Sequence, residues 1–140
     1  MINRELINPQ SIVVVGGSNN VHKPGGRLVR NLLDGKYKGE LYVVNAKEDD
    51  VQGLKSYHSV HDIPETELAI ISIPGPACPE AVDVLAKQKN VKAFIVISAG
   101  FGEETHEGAI LEEQMLKSIN EAGASLIGPN CIGLMNMNYH

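Results

Sequence analysis

Two hydropathy patterns alternate along the 140 residues. The first is a short apolar run rich in β-branched residues. It occurs at 11–15 (SIVVV), 40–45 (ELYVVN), 68–73 (LAIISI), 93–97 (AFIVI) and 125–127 (SLI). The second is a longer stretch with apolar residues at helical spacing. It predicts a helix over 25–34, with Leu28, Leu32 and Leu33 on one face while Arg27 and Arg30 meet solvent or a ligand. A second helix is predicted over 79–88 on Ala81, Val82, Leu85 and Ala86, and a third over 109–121 on Ile110, Leu111, Met115, Leu116 and Ile119. Gly35 and Gly123 stand where C-caps belong. Residues 46–67 are polar and turn-rich, and HDIPE within them predicts one short helical turn capped by Asp62.

The strand runs are continuous rather than alternating. That is the pattern of a parallel sheet covered on both faces. With right-handed crossovers it predicts an α/β fold, a Rossmann-like doubly wound parallel sheet of five strands in the order 3-2-1-4-5 with helices on both faces. Residues 1–140 read as one domain, with no internal repeat or linker. In such a sheet a ligand lies outside the strand carboxyl ends. Those ends are 16–23, 45–47, 74–76, 98–102 and 128–131, all rich in Gly, Pro, Ser and Asn, more so than turns alone require.

Composition narrows the function. Hydrophobic content of 43%, charged content of 21% and a net charge of −5 describe a soluble globular chain and disfavour nucleic acid as a partner. Aromatics are only 4% with no Trp, which removes the stacking platforms of single-strand binders. Cys78 and Cys131 make neither a disulfide framework nor a metal motif, as expected of a reducing cytoplasm. The start, MINRELINPQ, has neither the basic flank and apolar run of a signal peptide nor a membrane span.

Candidate chemistry centres on SIVVVGGSNNVHKPGG, residues 11–26. A buried strand, a glycine turn and a helix start form a phosphate cradle: backbone N–H groups approach the anion and the helix N-terminus adds partial positive charge. A dinucleotide fingerprint needs G-x-G-x-x-G here and an acid at the end of the second strand. This chain departs on both counts. Gly16 and Gly17 are adjacent, the next pair, Gly25 and Gly26, arrives late, and the second strand ends in Asn45 with Lys47 nearby. A neutral or basic residue at that place suits a phosphorylated ribose, as in NADP or in coenzyme A. Alone, Lys47 is an ordinary solvated lysine; its pairing with Lys23 gives the cofactor reading weight.

Six blocks carry a family resemblance: SIVVVGGSNN (11–20), LYVVNAK (41–47), GLKSYHSVHDIPE (53–65), LAIISIPGP (68–76), VKAFIVISAGFGEE (91–104) and LIGPNCIGLMN (126–136). In order and after the right strands, they make the chain resemble the N-terminal CoA-binding domain of the NDP-forming acyl-CoA synthetases, such as ADP-forming acetate–CoA ligase, relatives of the succinyl-CoA synthetase α subunit. The resemblance implies coenzyme A across the strand ends. Gly16, Ser18, Asn20, Lys23 and Gly25 would hold phosphates and adenosine at the first turn, and Asn45 and Lys47 would sit by the adenine and ribose phosphate. Pro74 would pack on the cofactor, Ser98, Ala99 and Gly100 would line the pantetheine, and Asn130 would approach the thiol. It implies no catalytic residue and no metal ligand here. The phosphohistidine and the nucleotide site would belong to other domains or a subunit, so 1–140 is expected to be the N-terminal fragment of a larger ATP-using, cytoplasmic synthetase.

The other reactive side chains read more simply. His58 and His61 are surface histidines rather than a metal pair, His106 belongs to an acidic loop, and His22 is a weak cofactor candidate. Cys131 is a packing residue, Cys78 a small residue at a helix start, and Glu103 and Glu104 complement a helix N-terminus. Two rival functions stay open: a stand-alone CoA-binding or sensing module, and an NADP-binding reductase domain. A DNA-binding redox sensor would need a basic helix-turn-helix, which the sequence lacks.

Overall fold

A computed structural model describes residues 10–35, 37–73, 75–97 and 106–127. The five apolar runs become strands β1 (Ser11–Val15), β2 (Glu40–Val44), β5 (Leu68–Ile71), β6 (Ala93–Val96) and β7 (Ser125–Ile127). Two short strands, β3 (Asp50–Val51) and β4 (Leu54–Tyr57), lie in the segment read as loop. The helices are α1 (Pro24–Asp34), α2 (Cys78–Gln88) and α3 (His106–Glu121).

The sheet has seven strands in the order β3-β4-β2-β1-β5-β6-β7. All neighbours are parallel except the β3–β4 hairpin. This corrects both the expected count and the expected order. The 68–73 run was placed outside the second strand; β5 pairs instead with β1, Val13 opposite Ala69. The place beyond β2 belongs to β4, with Val44 opposite Tyr57. The reason lies in β4's own chemistry. LKSY alternates half-buried, exposed and buried positions and is too short and polar to read as a buried strand, yet it fills the flank of β2.

The central strands β1, β5 and β6 are buried on both faces. On one side Ile12, Val14, Leu68, Ile70 and Ile95 pack under Leu28, Val29 and Leu32 of α1. On the other, Val13, Val15, Ile71, Phe94 and Val96 pack under α2 and α3, through Val82, Leu85, Met115 and Ile119. Helices therefore cover both faces of the sheet. Along α3 the periodicity needs correction: Met115 and Ile119 are buried, but Ile110 and Leu116 are 41% and 37% exposed. The row facing α2 runs through Met115, Ser118 and Ile119, and Ser118 donates to Asp83 of α2 at 2.9 Å. Gly35 caps α1, its N–H reaching the Asn31 carbonyl, and Gly123 follows α3 in the left-handed region at φ +70°. The short turn expected at HDIPE is a 3-10 helix over Val60–Asp62; its cap is Ser59, whose hydroxyl accepts from the His61 N–H, not Asp62. Among the described residues no helix is long and apolar enough to cross a membrane.

Candidate functional site

The carboxyl ends of β1, β2, β4 and β5 open on one cavity of about 660 Å³. The backbone ladder continues one residue past β1, β2 and β5. The N–H of Gly16 reaches the Val44 carbonyl at 2.8 Å, that of Asn45 reaches Tyr57 at 2.9 Å, and that of Ser72 reaches Val15 at 2.8 Å. The loops therefore leave the sheet from a fixed edge.

Gly16 turns the chain at φ +96°, and a Cβ there would overlap the Ser72 carbonyl. Gly25, in the first turn of α1, backs onto the Gly16 carbonyl, which a Cβ would also overlap. Strand end and helix start thus touch backbone to backbone. Pro24 opens α1, no side chain caps it, and its first turn carries no acidic residue. A helix N-terminus left so, facing a cavity, suits an anion.

Of the residues assigned from sequence, Gly16, Ser18, Lys23, Gly25, Asn45 and Lys47 all line this cavity. Asn20 does not; it builds the loop. Its Oδ1 accepts from the His22 N–H (2.9 Å), its N–H donates to the Ser18 hydroxyl (3.0 Å), and its carbonyl accepts from the Lys23 N–H (3.1 Å). His22 is exposed and also outside the cavity lining. Asn45 is both wall and clamp. Its Nδ2 donates to the Gly17 carbonyl at 2.9 Å, and its Oδ1 accepts from the N–H groups of Lys47 (2.8 Å) and Glu48 (3.0 Å). With its acceptor used twice over, the asparagine can offer a ligand only its remaining amide hydrogen. Pro74, Ser98, Ala99, Gly100 and Asn130 lie outside the described residues.

Three residues of the cavity and its support were not assigned from sequence. His58 and Ser59, at the end of β4, line the cavity. They were missed because β4 was. Gln52, in the β3–β4 turn with φ +51°, braces the glycine turn: its Nε2 donates to the carbonyls of Ser18 and Gly26, both at 2.8 Å. Asn19 completes the clamp from the other side, accepting from the Gln52 N–H (2.7 Å) and donating to the Asp50 carbonyl (2.9 Å). Gln52 Oε1 is buried and has no hydrogen-bond partner among the described residues. A glutamine in a turn has no sequence signature that would have disclosed this.

Cys78 is fully buried at the start of α2, its thiol 3.6 Å from the Ile73 carbonyl that accepts from it. That is a packing role. Among the described residues no group of three or more His, Cys, Asp or Glu is disposed to hold a metal ion.

Known proteins resemble this chain over most of its length. An α subunit of ADP-forming acetate–CoA ligase II from Pyrococcus furiosus is 40% identical over 133 residues, 94% of this chain and 28% of that protein. Acetate–CoA ligase (ADP-forming) II from Archaeoglobus fulgidus is 39% identical over 134 residues, 95% of this chain and 20% of that protein. A weaker likeness, 31% over 90 residues, reaches a succinate–CoA ligase α subunit of A. fulgidus. Among solved structures, PH0766 from Pyrococcus horikoshii superposes with a TM-score of 0.83 at 39% identity, over 92% of this chain and 29% of that one. The chain thus spans less than a third of the length of these acetate–CoA ligase relatives. The family model described as a CoA binding domain matches residues 10–137, taking in the glycine turn, the Asn45 clamp and the β4 end together, and the chain belongs to that family.

Proposed function

We propose that the cavity holds coenzyme A and that the chain is the CoA-holding part of an ADP-forming acyl-CoA ligase. The observation that carries this is the convergence of Lys23, Lys47, the Gly16–Gly25 contact and the uncapped start of α1 on one cavity. The residues fit the cofactor. Backbone donors and a helix N-terminus suit a pyrophosphate, and two lysines suit the extra phosphate of its ribose. When bound, CoA supplies the thiol that takes up the acyl group. This chain's residues bind and orient the nucleotide end.

The whole protein would convert an acid, CoA and ATP reversibly to acyl-CoA, ADP and phosphate. The phosphohistidine and nucleotide sites would be supplied by further domains or a partner subunit. The matching α subunit and the greater length of the relatives support that division. Pro74, Ser98, Ala99, Gly100 and Asn130 are assigned to the pantetheine and thiol end on the family resemblance. The order β4-β2-β1-β5-β6-β7 of the parallel strands supports reading the sheet as Rossmann-like. The cytoplasmic setting belongs to the same proposal, as a compartment where ATP and CoA are both at hand.

Calorimetric titration of the chain with CoA, dephospho-CoA, NADP and NAD tests this. The expected order puts CoA first, with Lys23→Ala and Lys47→Ala each weakening CoA by about tenfold, the scale of a charge-assisted phosphate contact. Binding of NADP without CoA would overturn the proposal.

A further inference from the structure

We propose that His58 is a third cationic contact of this cavity, placed for the ribose 3′-phosphate that distinguishes CoA from dephospho-CoA. The inference rests on the cavity being a CoA site and adds a residue that the sequence reads as ordinary surface.

Its position follows from the pairing of β4. Tyr57 lies opposite Val44, and its carbonyl accepts from the Asn45 N–H at 2.9 Å. The next residue, His58, therefore leaves the sheet beside the connection that carries Asn45 and Lys47, and it lines the same cavity. In a doubly wound sheet the first turn takes the pyrophosphate, and the end of the neighbouring strand takes the ribose. Here β4 lies beyond β2, on the side away from β5. His58 thus stands on the ribose side of Lys47.

Its ring is already held. Nε2 lies 2.7 Å from Asp49 Oδ1, with the histidine side chain 53% and the carboxylate 90% exposed. Protonated, the imidazole pairs with an acid that solvent can readily accommodate elsewhere, so an arriving phosphate can take its place. Other charged groups lie on the neighbouring segments. Lys47, Glu48 and Asp49 lie on the β2–β3 connection, Lys23 at the first turn, and Lys55 and His61 on its own segment. Lys55 lies over the Tyr57 ring, 5.0 Å from its centroid. Among the described residues His58 is the one histidine lining the cavity, and an imidazole contact carries the pH signature that a lysine contact lacks.

The test compares wild type, His58→Gln and His58→Lys in titrations with CoA and dephospho-CoA at about pH 6 and about pH 8, spanning the histidine range. The second ionisation of the 3′-phosphate falls in the same range but is common to all three proteins, so their ratios isolate the side chain. His58→Gln is expected to lose about fivefold in CoA affinity at the lower pH, the upper end for a solvent-exposed ion pair, with dephospho-CoA unchanged. The loss should shrink at the higher pH, as for an imidazole contact, while His58→Lys should there bind CoA more tightly than wild type. Equal losses for both ligands, or no loss for either, would overturn the assignment of His58. Failure of wild type to bind CoA at all would overturn the CoA reading itself and this inference with it.

Discussion

Two regions flank the centre of the sheet, and different physics holds each. The face covered by α2 and α3 is an apolar layer, in which Phe94, Ile71 and Leu85 are buried to the last square ångström. The rim formed by the glycine turn, the Asn45 connection and the β3–β4 hairpin is joined by polar crosslinks. Asn45 reaches Gly17, Gln52 reaches Ser18 and Gly26, and Asn19 reaches Asp50 and Gln52. Apolar burial is non-directional and supplies stability in bulk. Hydrogen bonds contribute less net energy but fix positions. The first region decides whether the chain folds, and the second decides where its backbone donors point.

The sharpest way to separate the two is to damage one at a time. Phe94→Ala removes the largest fully buried side chain among the described residues and should cost about 3–5 kcal/mol in denaturant unfolding. The fraction still folded should bind CoA as before. If its affinity falls as well, the two regions are not independent. Gln52→Ala is the reverse experiment. It deletes two crosslinks and also the buried, unpartnered Oε1, so stability should drop by only about 1 kcal/mol. CoA affinity should fall about fivefold or more, because the glycine turn loses its brace. An unchanged titration would show that the turn keeps its shape without the hairpin.

The smallest effect concerns the charged seam between α2 and α3. Asp83 accepts from Lys87 at 3.0 Å and from Ser118 at 2.9 Å, and Lys87 also reaches Glu121 at 2.9 Å. The hydrogen bond from Lys87, followed by that from Ser118, holds the Asp83 carboxyl below its ordinary value. A lowered carboxyl stabilises the fold above the unfolded value of 3.8, and that contribution is lost as the pH falls below it. Lys87 has the opposite sign. Its raised value contributes fully below 10.5 and is lost at higher pH. The pair is half exposed and solvent screens it, so Asp83→Asn should cost under about 1 kcal/mol at neutral pH. The acid limb of the stability curve should be shallower in the variant, with CoA affinity unchanged. A variant with the same acid limb as wild type would show the seam to be energetically silent.

The same contrast explains what the sequence disclosed. Burial leaves a pattern, so the five apolar runs and the faces of α1 and α2 were legible from Ile12, Val14, Leu28, Val82 and their neighbours. The first-turn glycines and the two lysines were legible too, because a residue just past a buried strand sits at a known edge. The hairpin was not. Its strands are short, Lys55 is exposed on β4, and the side-chain contacts that seat it on the glycine turn join residues 26 to 34 positions apart, as Gln52 joins Gly26 and Ser18. No local pattern encodes such partners. Missing β4 then misplaced β5, and it hid His58, the one cavity histidine among the described residues, in what read as a surface loop. Ile110 and Leu116 show the same limit in a helix: apolar character put them inward, while the packing of α3 on α2 turned them out.

Asn45 has a further consequence. A single amide ties the turn after β1 to the connection after β2, so both loops of the cavity rim are ordered when the chain folds. A ligand entering the cavity need not freeze them. The entropy of loop ordering, about 1–2 kcal/mol for each residue whose backbone is fixed, has already been spent. Binding to such a preorganised rim should depend little on loop closure, and differences in affinity among nucleotides should appear chiefly as differences in how fast they leave.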